Sequence, residues 1–157
     1  MTPTFLEVSG RQVGKTHDLE QAAIGHIKRG GVAIIVAGEG LTDRIRRRVP
    51  DAMVIEYGTH TDQALLEQVS AMEQVRWFFD EFDWYQAVPV VPGGYYCTTA
   101  RFIRSENADP NGDTLLTLAN ELRAPTCQRS CPLEVEKFYP PAERDLLLRG
   151  KYQEVAT

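Results

Sequence analysis

Eight residues near the start of the chain have the types and spacing of a loop that binds phosphate groups. They read Ser9-Gly10-Arg11-Gln12-Val13-Gly14-Lys15-Thr16. Such loops have a Gly, four free positions, and then Gly, Lys and Ser or Thr. Gly14, Lys15 and Thr16 match this pattern, and Ser9 occupies the position of the first Gly. Because Gly10 follows directly, the backbone freedom of glycine is displaced by one residue.

The flanking sequence supplies the context that this loop needs. An apolar run from Thr4 to Val8 predicts a strand before it, and a helix-compatible stretch begins at Lys15. A strand, loop and helix in this order direct backbone N–H groups and a helix N-terminus at a phosphate. With ATP bound, Lys15 would contact the β- and γ-phosphates and Thr16 would hold Mg²⁺. The alternative is a chance Gly-Lys-Thr in an ordinary turn between a strand and a helix.

A second set of residues would complete the chemistry. The apolar run Val75 to Phe79 ends in Asp80 and Glu81. Beside a phosphate-binding loop, Asp80 would bind Mg²⁺ directly or through water, and Glu81 would act as general base on the attacking water. Taken alone, two acids after an apolar run are often only the end of a strand.

Further polar residues are candidates for the same site. Arg11 would stabilise charge on the transferring phosphoryl group as a third catalytic residue beside Lys15 and Glu81, or it faces solvent or pairs with a carboxylate. Thr98 and Thr99 end the predicted strand Tyr95 to Ala100, and a hydroxyl there would sense the γ-phosphate. The alternative for both threonines is a plain preference for strand structure.

The remaining clusters favour structural interpretations. The dense basic run on a predicted helix consists of Arg44, Arg46, Arg47 and Arg48. It would contact nucleic-acid phosphates or a neighbouring subunit's nucleotide, or form a solvated face. Arg101 is expected at the surface, with a phosphate contact as the alternative. The histidines His17, His26 and His60 are expected in structural or solvent-facing positions. Cys97, Cys127 and Cys131 lack the paired spacing of a zinc site. The aromatic residues Phe82, Trp84 and Tyr85 are expected in the core, with a binding surface as the alternative.

Composition limits the class of protein. The chain has 157 residues, of which 43% are hydrophobic and 25% charged, so one folded domain over residues 1–157 is expected. Its net charge of −5 argues against a strongly basic nucleic-acid binder. Three cysteines, an odd number, favour a reducing cytoplasm over a disulfide framework. We expect neither a membrane span nor a secretory signal.

The elements that must position these residues alternate along the chain. Continuous apolar runs predict strands, and apolar residues at helical spacing predict helices. Besides the strands named above, we expect strands at Val32 to Ala37, Ala52 to Tyr57 and an edge strand at Leu133 to Tyr139. Helices are expected at Lys15 to Arg29, Leu41 to Val49, Thr61 to Glu73, Thr114 to Arg123 and around Leu146 to Leu148. This alternation predicts an α/β fold of three layers, with a mostly parallel central sheet flanked by helices, as in a P-loop NTPase.

Together the loop and the acidic strand end resemble the ATPase core of phage large terminases, the additional-strand P-loop NTPases that package DNA. That family carries a variant loop with an early arginine, which Arg11 matches, and an acidic motif similar to Phe78-Phe79-Asp80-Glu81. Its coupling motif corresponds loosely to Thr98-Thr99-Ala100. Large terminases usually also carry a nuclease domain, for which this acidic chain is too short, so a stand-alone phage ATPase of the same class is an equal alternative.

The resemblance implies an ATP- and Mg²⁺-dependent hydrolase in the host cytoplasm. Double-stranded DNA, further copies of the chain and other phage proteins are its candidate partners. Two alternatives use the same loop. One is a small-molecule kinase, and the other is a nucleotide-binding regulatory protein with little turnover.

Overall fold

A single sheet of five parallel strands forms the centre of the molecule. The computed structural model describes residues 3–58, 67–69 and 71–156. The strands are β1 (Phe5–Val8), β2 (Val32–Ala37), β3 (Met53–Glu56), β4 (Val75–Asp80) and β5 (Tyr95–Thr98). They lie in the order β1-β5-β4-β2-β3, and every pair is parallel. The expected mostly parallel sheet is therefore wholly parallel among the described strands.

Alternation along the strands produces two cores, one on each face of the sheet. Val36, Phe79 and Tyr96 belong to one buried cluster, and their neighbours Ile35 and Phe78 belong to the other. This arrangement explains why β2 is apolar throughout. Val36 packs in one cluster and Ile35 in the other, so both faces of β2 are covered.

Helices cover both faces, which gives the three-layer α/β architecture. They are α1 (Lys15–Lys28), α2 (Thr42–Arg48), α3 (Thr114–Leu122) and α4 (Pro141–Arg149), with short 3₁₀ helices at Phe82–Trp84 and Leu133–Phe138. Leu19 of α1 and Ile45 of α2 pack in one cluster, and Leu115 and Leu118 of α3 pack in the other. Asp113 caps α3 by accepting a hydrogen bond from the N–H of Leu116 at 3.0 Å.

The structure differs from two of the predicted elements. The helix expected over Thr61 to Glu73 lies largely outside the described residues. Residues 67–69 are helical, but 71–74 form turns, so its predicted end at Glu73 is wrong. Residue 74 adopts a positive φ of 63°, which does not continue a helix.

The edge strand expected at Leu133 to Tyr139 is also wrong, because the segment from Leu133 to Phe138 is a 3₁₀ helix. The edge beside β1 is instead taken by Thr126 and Cys127, whose N–H groups donate to Leu6 O at 2.7 and 3.1 Å. Prolines bound the 3₁₀ segment on both sides, and alternation over so few residues does not separate a strand from a tight helix.

The strand order brings three chain segments together at one edge of the sheet. Val8 lies opposite Thr98, and Asp80 lies opposite Cys97. The ends of β1, β5 and β4 are therefore adjacent, and the loop after β1 lies beside the acidic end of β4. In open parallel sheets this carboxyl edge is where ligands bind.

Candidate functional site

The loop between β1 and α1 has the backbone shape expected of an anion-binding loop. Gln12 and Gly14 adopt left-handed conformations with φ of 58° and 89°, and α1 begins directly after Gly14. The backbone N–H groups from Gln12 to Thr16 donate to no backbone carbonyl among the described residues. They include the first N–H groups of α1, which have no partner within the helix. These donors and the positive end of the helix dipole favour an anion in front of the loop.

Lys15 is buried at the centre of the site, with 5% of its surface exposed. Its ammonium donates to Gly10 O at 3.0 Å and to Thr99 Oγ1 at 2.8 Å. A carboxylate oxygen of Glu81 lies 3.4 Å away. The positive charge is thus held by three oxygen atoms from three segments of chain. These three oxygen atoms contact the ammonium group in the way that phosphate oxygens would.

The neighbouring residue connects the loop to the acidic strand. Thr16 Oγ1 donates to Asp80 Oδ2 at 2.9 Å, and the Cys97 thiol donates to Asp80 Oδ1 at 3.3 Å. Burial raises the pKa of Asp80, and the charge of Glu81 acts in the same direction, against the two hydrogen bonds and Lys15. Burial also raises the pKa of the Cys97 thiol, which therefore stays protonated as a donor.

Glu81 follows β4 in a left-handed conformation, with φ of 49° and ψ of 39°. Residues other than glycine seldom adopt this conformation, which occurs often at functional sites. Its Oε2 accepts from the N–H of Thr99 at 2.9 Å and from the hydroxyl of Thr98 at 3.3 Å. These bonds and Lys15 fix the carboxylate at the end of β4. Thr98 and Thr99 therefore orient Glu81 and Lys15.

The donor set at Asp80 fits Mg²⁺ only as part of a larger complex. No group of three or more His, Cys, Asp or Glu side chains in the described part of the chain could hold a metal ion alone. Mg²⁺ typically takes one or two carboxylates and completes its octahedron with waters and substrate phosphates. One carboxylate joined to one hydroxyl, beside a loop suited to phosphate, matches that requirement.

A cavity of about 310 Å³ opens beside Glu81, which forms part of its wall. Arg11 is exposed and lines it together with Thr99, Trp84 and Tyr85. Trp84 and Tyr85 were expected in the core, but they are 41% and 38% exposed, so only Phe82 of that group is buried. The reason is the 3₁₀ turn at Phe82–Trp84, which directs the chain out of the sheet.

The cavity wall is tied to the site. Trp84 Nε1 donates to Thr99 O at 2.8 Å, so the indole is held by the residue that contacts Lys15 and Glu81. Tyr85 stacks on Tyr57 with ring centroids 4.0 Å apart. A Cβ at Gly38 would overlap the Tyr85 hydroxyl, so a larger residue there would require the Tyr85 side chain to shift.

A buried network explains why Ser9 stands where the pattern has Gly. Ser9 Oγ donates to Glu7 Oε1 at 2.7 Å and accepts from the N–H of Arg129 at 2.8 Å. Arg129 Nε donates to the same Glu7 oxygen at 2.8 Å. Its Nη2 forms ion pairs with Glu7 and Asp18 at 2.7 and 2.8 Å without good hydrogen-bond alignment. The network joins β1, the loop, α1 and the segment before α4.

The C-terminal part of the chain holds the first half of the loop. Gly10 N donates to Arg129 O at 2.9 Å, and Arg11 N donates to Leu147 O at 2.7 Å. A Cβ on Gly10 would lie 2.1 Å from Leu148 O, so glycine is needed there for close packing. The sequence gives no local signal for these contacts, because the partners lie more than a hundred residues apart.

A second buried ion cluster lies just beyond the acidic strand. Arg104 donates to both Asp83 and Asp113, and it is 4% exposed. Asp83 also accepts from the N–H of Arg101 at 2.7 Å. Burial lowers the pKa of Arg104, but its hydrogen bonds to the two aspartates outweigh this and raise it. The cluster fixes the segments after β4 and β5 to the start of α3.

Most of the remaining candidate residues from the sequence lie outside the site formed by Lys15, Asp80 and Glu81. The Arg101 side chain is exposed. On α2, Arg46 pairs with Asp43 at 3.0 Å and Arg48 pairs with Glu20 at 3.2 Å, so much of the basic run is neutralised within the chain. All three cysteines are free thiols. His17 is exposed, and His60 lies outside the described residues.

Comparisons with protein-family models, with curated proteins and with solved structures find no match to this chain. Within the described residues, the helices are too short or too polar to cross a membrane.

Proposed function

We propose that the protein binds ATP with Mg²⁺ at the loop from Ser9 to Thr16 and hydrolyses it. One observation carries this proposal. Consecutive residues at the start of α1 contact both acids of β4: Lys15 lies 3.4 Å from Glu81, and Thr16 bonds to Asp80 at 2.9 Å. The members of each pair are separated by 64 residues or more in the sequence. A Gly-Lys-Thr that occurred by chance would not be expected to contact both acids.

The order of the strands supports the same class. β5 lies between β1 and β4, so one strand separates the loop-bearing strand from the acidic strand. This insertion supports the additional-strand class of P-loop NTPases. Thr98 and Thr99 end the inserted strand beside Lys15 and Glu81, where a hydroxyl would respond to the presence of the γ-phosphate.

Each side chain then has a chemical task. Lys15 would place its charge against the β- and γ-phosphates, and Arg11 is exposed beside Glu81, where a guanidinium would stabilise developing charge. Mg²⁺, when bound, would neutralise phosphate charge and orient the oxygens for in-line attack. Thr16 and Asp80 would hold it. Glu81 would accept the proton of the attacking water as the P–O bond to the leaving diphosphate breaks.

A small-molecule kinase is the second candidate, favoured by the cavity beside Glu81. Its volume of about 310 Å³ would admit a phosphoryl acceptor, and its aromatic wall of Trp84 and Tyr85 would orient one. In that reaction Glu81 would take the proton from an acceptor hydroxyl instead of water. The terminase resemblance and a role in DNA packaging remain part of the proposal, with DNA as the candidate activator.

The test is release of inorganic phosphate from ATP, measured with Mg²⁺ and with EDTA, and with and without duplex DNA. Mg²⁺-dependent release that DNA accelerates supports the motor-like ATPase. Slow release that DNA does not change, with tight ATP binding, points to a regulatory protein. Absence of both ATP binding and phosphate release would refute the proposal.

A further inference from the structure

A second cavity lies at the opposite edge of the sheet, where β2, β4 and β5 begin. Its volume is about 430 Å³, and its walls include His26, Arg29 and Arg76. Arg29 follows the last turn of α1, and Arg76 is the second residue of β4. No carboxylate of the described residues lines this cavity.

Arg76 is anchored so that its terminal nitrogen atoms stay available. Its Nε donates to Gly93 O at 3.0 Å, and its guanidinium lies over the Phe78 ring, 5.6 Å from the centroid. Neither terminal nitrogen has a hydrogen-bond or ion-pair partner in the described part of the chain. Burial lowers the pKa of Arg76, and the charge of Arg29 contributes in the same direction against Tyr95.

Arg29 adds a second cation with no neutralising group. It is exposed, and its guanidinium pairs with no described carboxylate. His26 turns its Nε2 to Gln74 O at 2.7 Å, which fixes the imidazole at the cavity wall. The two arginines face one cavity that no described carboxylate lines, so an anion bound there would gain favourable interactions with both.

We propose that this cavity binds a phosphate group through Arg29 and Arg76. A planar guanidinium group can donate two parallel hydrogen bonds to the oxygen atoms of a phosphate. An ammonium group acts as a point charge and lacks this geometry. The phosphate could belong to a nucleic-acid strand or to a small phosphate ester. The site is independent of the proposed ATPase, because it lies at the amino edge of the sheet and the phosphate loop lies at the carboxyl edge.

The first experiment uses inorganic phosphate as the probe, at constant ionic strength, with calorimetric titration of the full chain. Wild type and Lys15→Ala should both bind it, because Lys15 belongs to the other edge. Arg29→Gln together with Arg76→Gln should weaken binding roughly ten- to a hundredfold, the loss expected for charge-assisted hydrogen bonds. Arg29→Gln alone should reproduce part of the loss, and Arg29 is exposed, so this variant keeps the fold.

Arg47→Gln is the matched control for the phosphate titration, since it removes the same charge from an exposed position on α2 and should leave phosphate affinity unchanged. The second experiment measures duplex DNA binding against salt concentration. One strand phosphate in the cavity predicts that the double variant lowers the log–log slope by about one. Phosphate binding that the double variant weakens, with an unchanged DNA slope, assigns the site to a small phosphate ester. Phosphate binding and DNA slope that are both equal in wild type and double variant would overturn the proposal.

Discussion

The two edges of the sheet differ in whether their charged side chains have partners of opposite charge. At the carboxyl edge, buried charges meet partners: Lys15 meets Glu81, Arg104 meets Asp83 and Asp113, and Arg129 meets Glu7. At the amino edge, Arg29 and Arg76 face a cavity that no described carboxylate lines. The charged side chains at the carboxyl edge are therefore held by ion pairs, whereas the two arginines at the amino edge have no described counterion.

The difference bears on function because a buried charge is costly unless it is paired. Pairing at the carboxyl edge fixes side chains before any ligand arrives, which is what a preorganised catalytic site requires. Cations at the amino edge remain hydrated and gain their favourable interaction only from a bound anion. Variants at the carboxyl edge should therefore impair catalysis, whereas variants at the amino edge should weaken anion binding.

Lys15→Ala should abolish both ATP binding and turnover. It removes the charge set against the phosphates and leaves Glu81 without its cation. We expect kcat/KM to fall by at least about 10²–10³-fold, measured by phosphate release and by calorimetric titration of ATP. Circular dichroism should show a folded protein. Normal turnover by a folded Lys15→Ala variant would show that the loop is not the nucleotide site.

Glu81→Gln should keep ATP and Mg²⁺ binding and lose hydrolysis. The amide can still accept from Thr99 N–H, but it cannot take a proton from water. A fall in kcat of about 10²–10⁴-fold with little change in ATP affinity is expected. Asp83→Asn is the control, because Asp83 lies two residues on and belongs to the Arg104 cluster. Equal kcat for wild type and Glu81→Gln would place the base elsewhere.

Asp80→Asn should weaken Mg²⁺-dependent ATP binding roughly tenfold or more, since one carboxylate of the Mg²⁺ site is lost. The same variant should stabilise the ligand-free protein. The pKa of Asp80 is raised above 3.8 by burial, so the folded state holds a proton that the unfolded state releases, and stability falls as pH rises above that value. Thermal unfolding at pH 4 and 7 measures this. A wild type that gains stability between these pH values relative to Asp80→Asn would contradict the assignment.

Ser9→Gly should harm the protein although it restores the usual motif. Glu7 would lose a donor, and the N–H of Arg129 would lose its acceptor. A loss of about 1–3 kcal/mol in the free energy of unfolding is expected. Ser9→Ala removes the hydroxyl without adding the backbone freedom of glycine. It should lower the free energy of unfolding by nearly as much as Ser9→Gly. If Ser9→Gly is as stable as wild type and binds ATP equally well, the network does not hold the loop.

Local patterns predicted the parts of this molecule that depend on neighbouring residues. The continuous apolar run at Val32–Ala37 became a strand with the predicted bounds, because a central parallel strand has no solvated face. Lys15 and Asp80 could be placed at one edge because loops after parallel strands meet there. Their roles in nucleotide chemistry stay predictions.

The rest depends on pairing between distant residues, which no local period encodes. Arg129 lies 122 residues from Glu7, and nothing around either indicates the other. Arg29 and Arg76 share a cavity only because α1 ends where β4 begins. The expected edge strand at Leu133 to Tyr139 failed because Thr126 and Cys127 had already taken the edge beside β1. Trp84 and Tyr85 left the core because of the turn after Glu81.

The basic run on α2 contains one arginine with a buried partner and one without a described partner. Arg48 pairs with Glu20, which is 2% exposed, whereas Arg47 is exposed and has no described partner. Arg48→Gln should therefore lower the free energy of unfolding by about 1–2 kcal/mol, less than for a fully buried pair because half of Arg48 reaches water.

Arg47→Gln should leave stability within about 0.5 kcal/mol of wild type, by urea unfolding of both variants. If α2 contacts DNA, Arg47 is exposed and has no described partner that would prevent it, and its loss should lower the log–log salt slope by about one unit. Arg46→Gln is a poorer probe, because Arg46 is already shared with Asp43. A salt slope unaffected by Arg47→Gln but lowered by Arg29→Gln would move the nucleic-acid contact from α2 to the amino edge of the sheet.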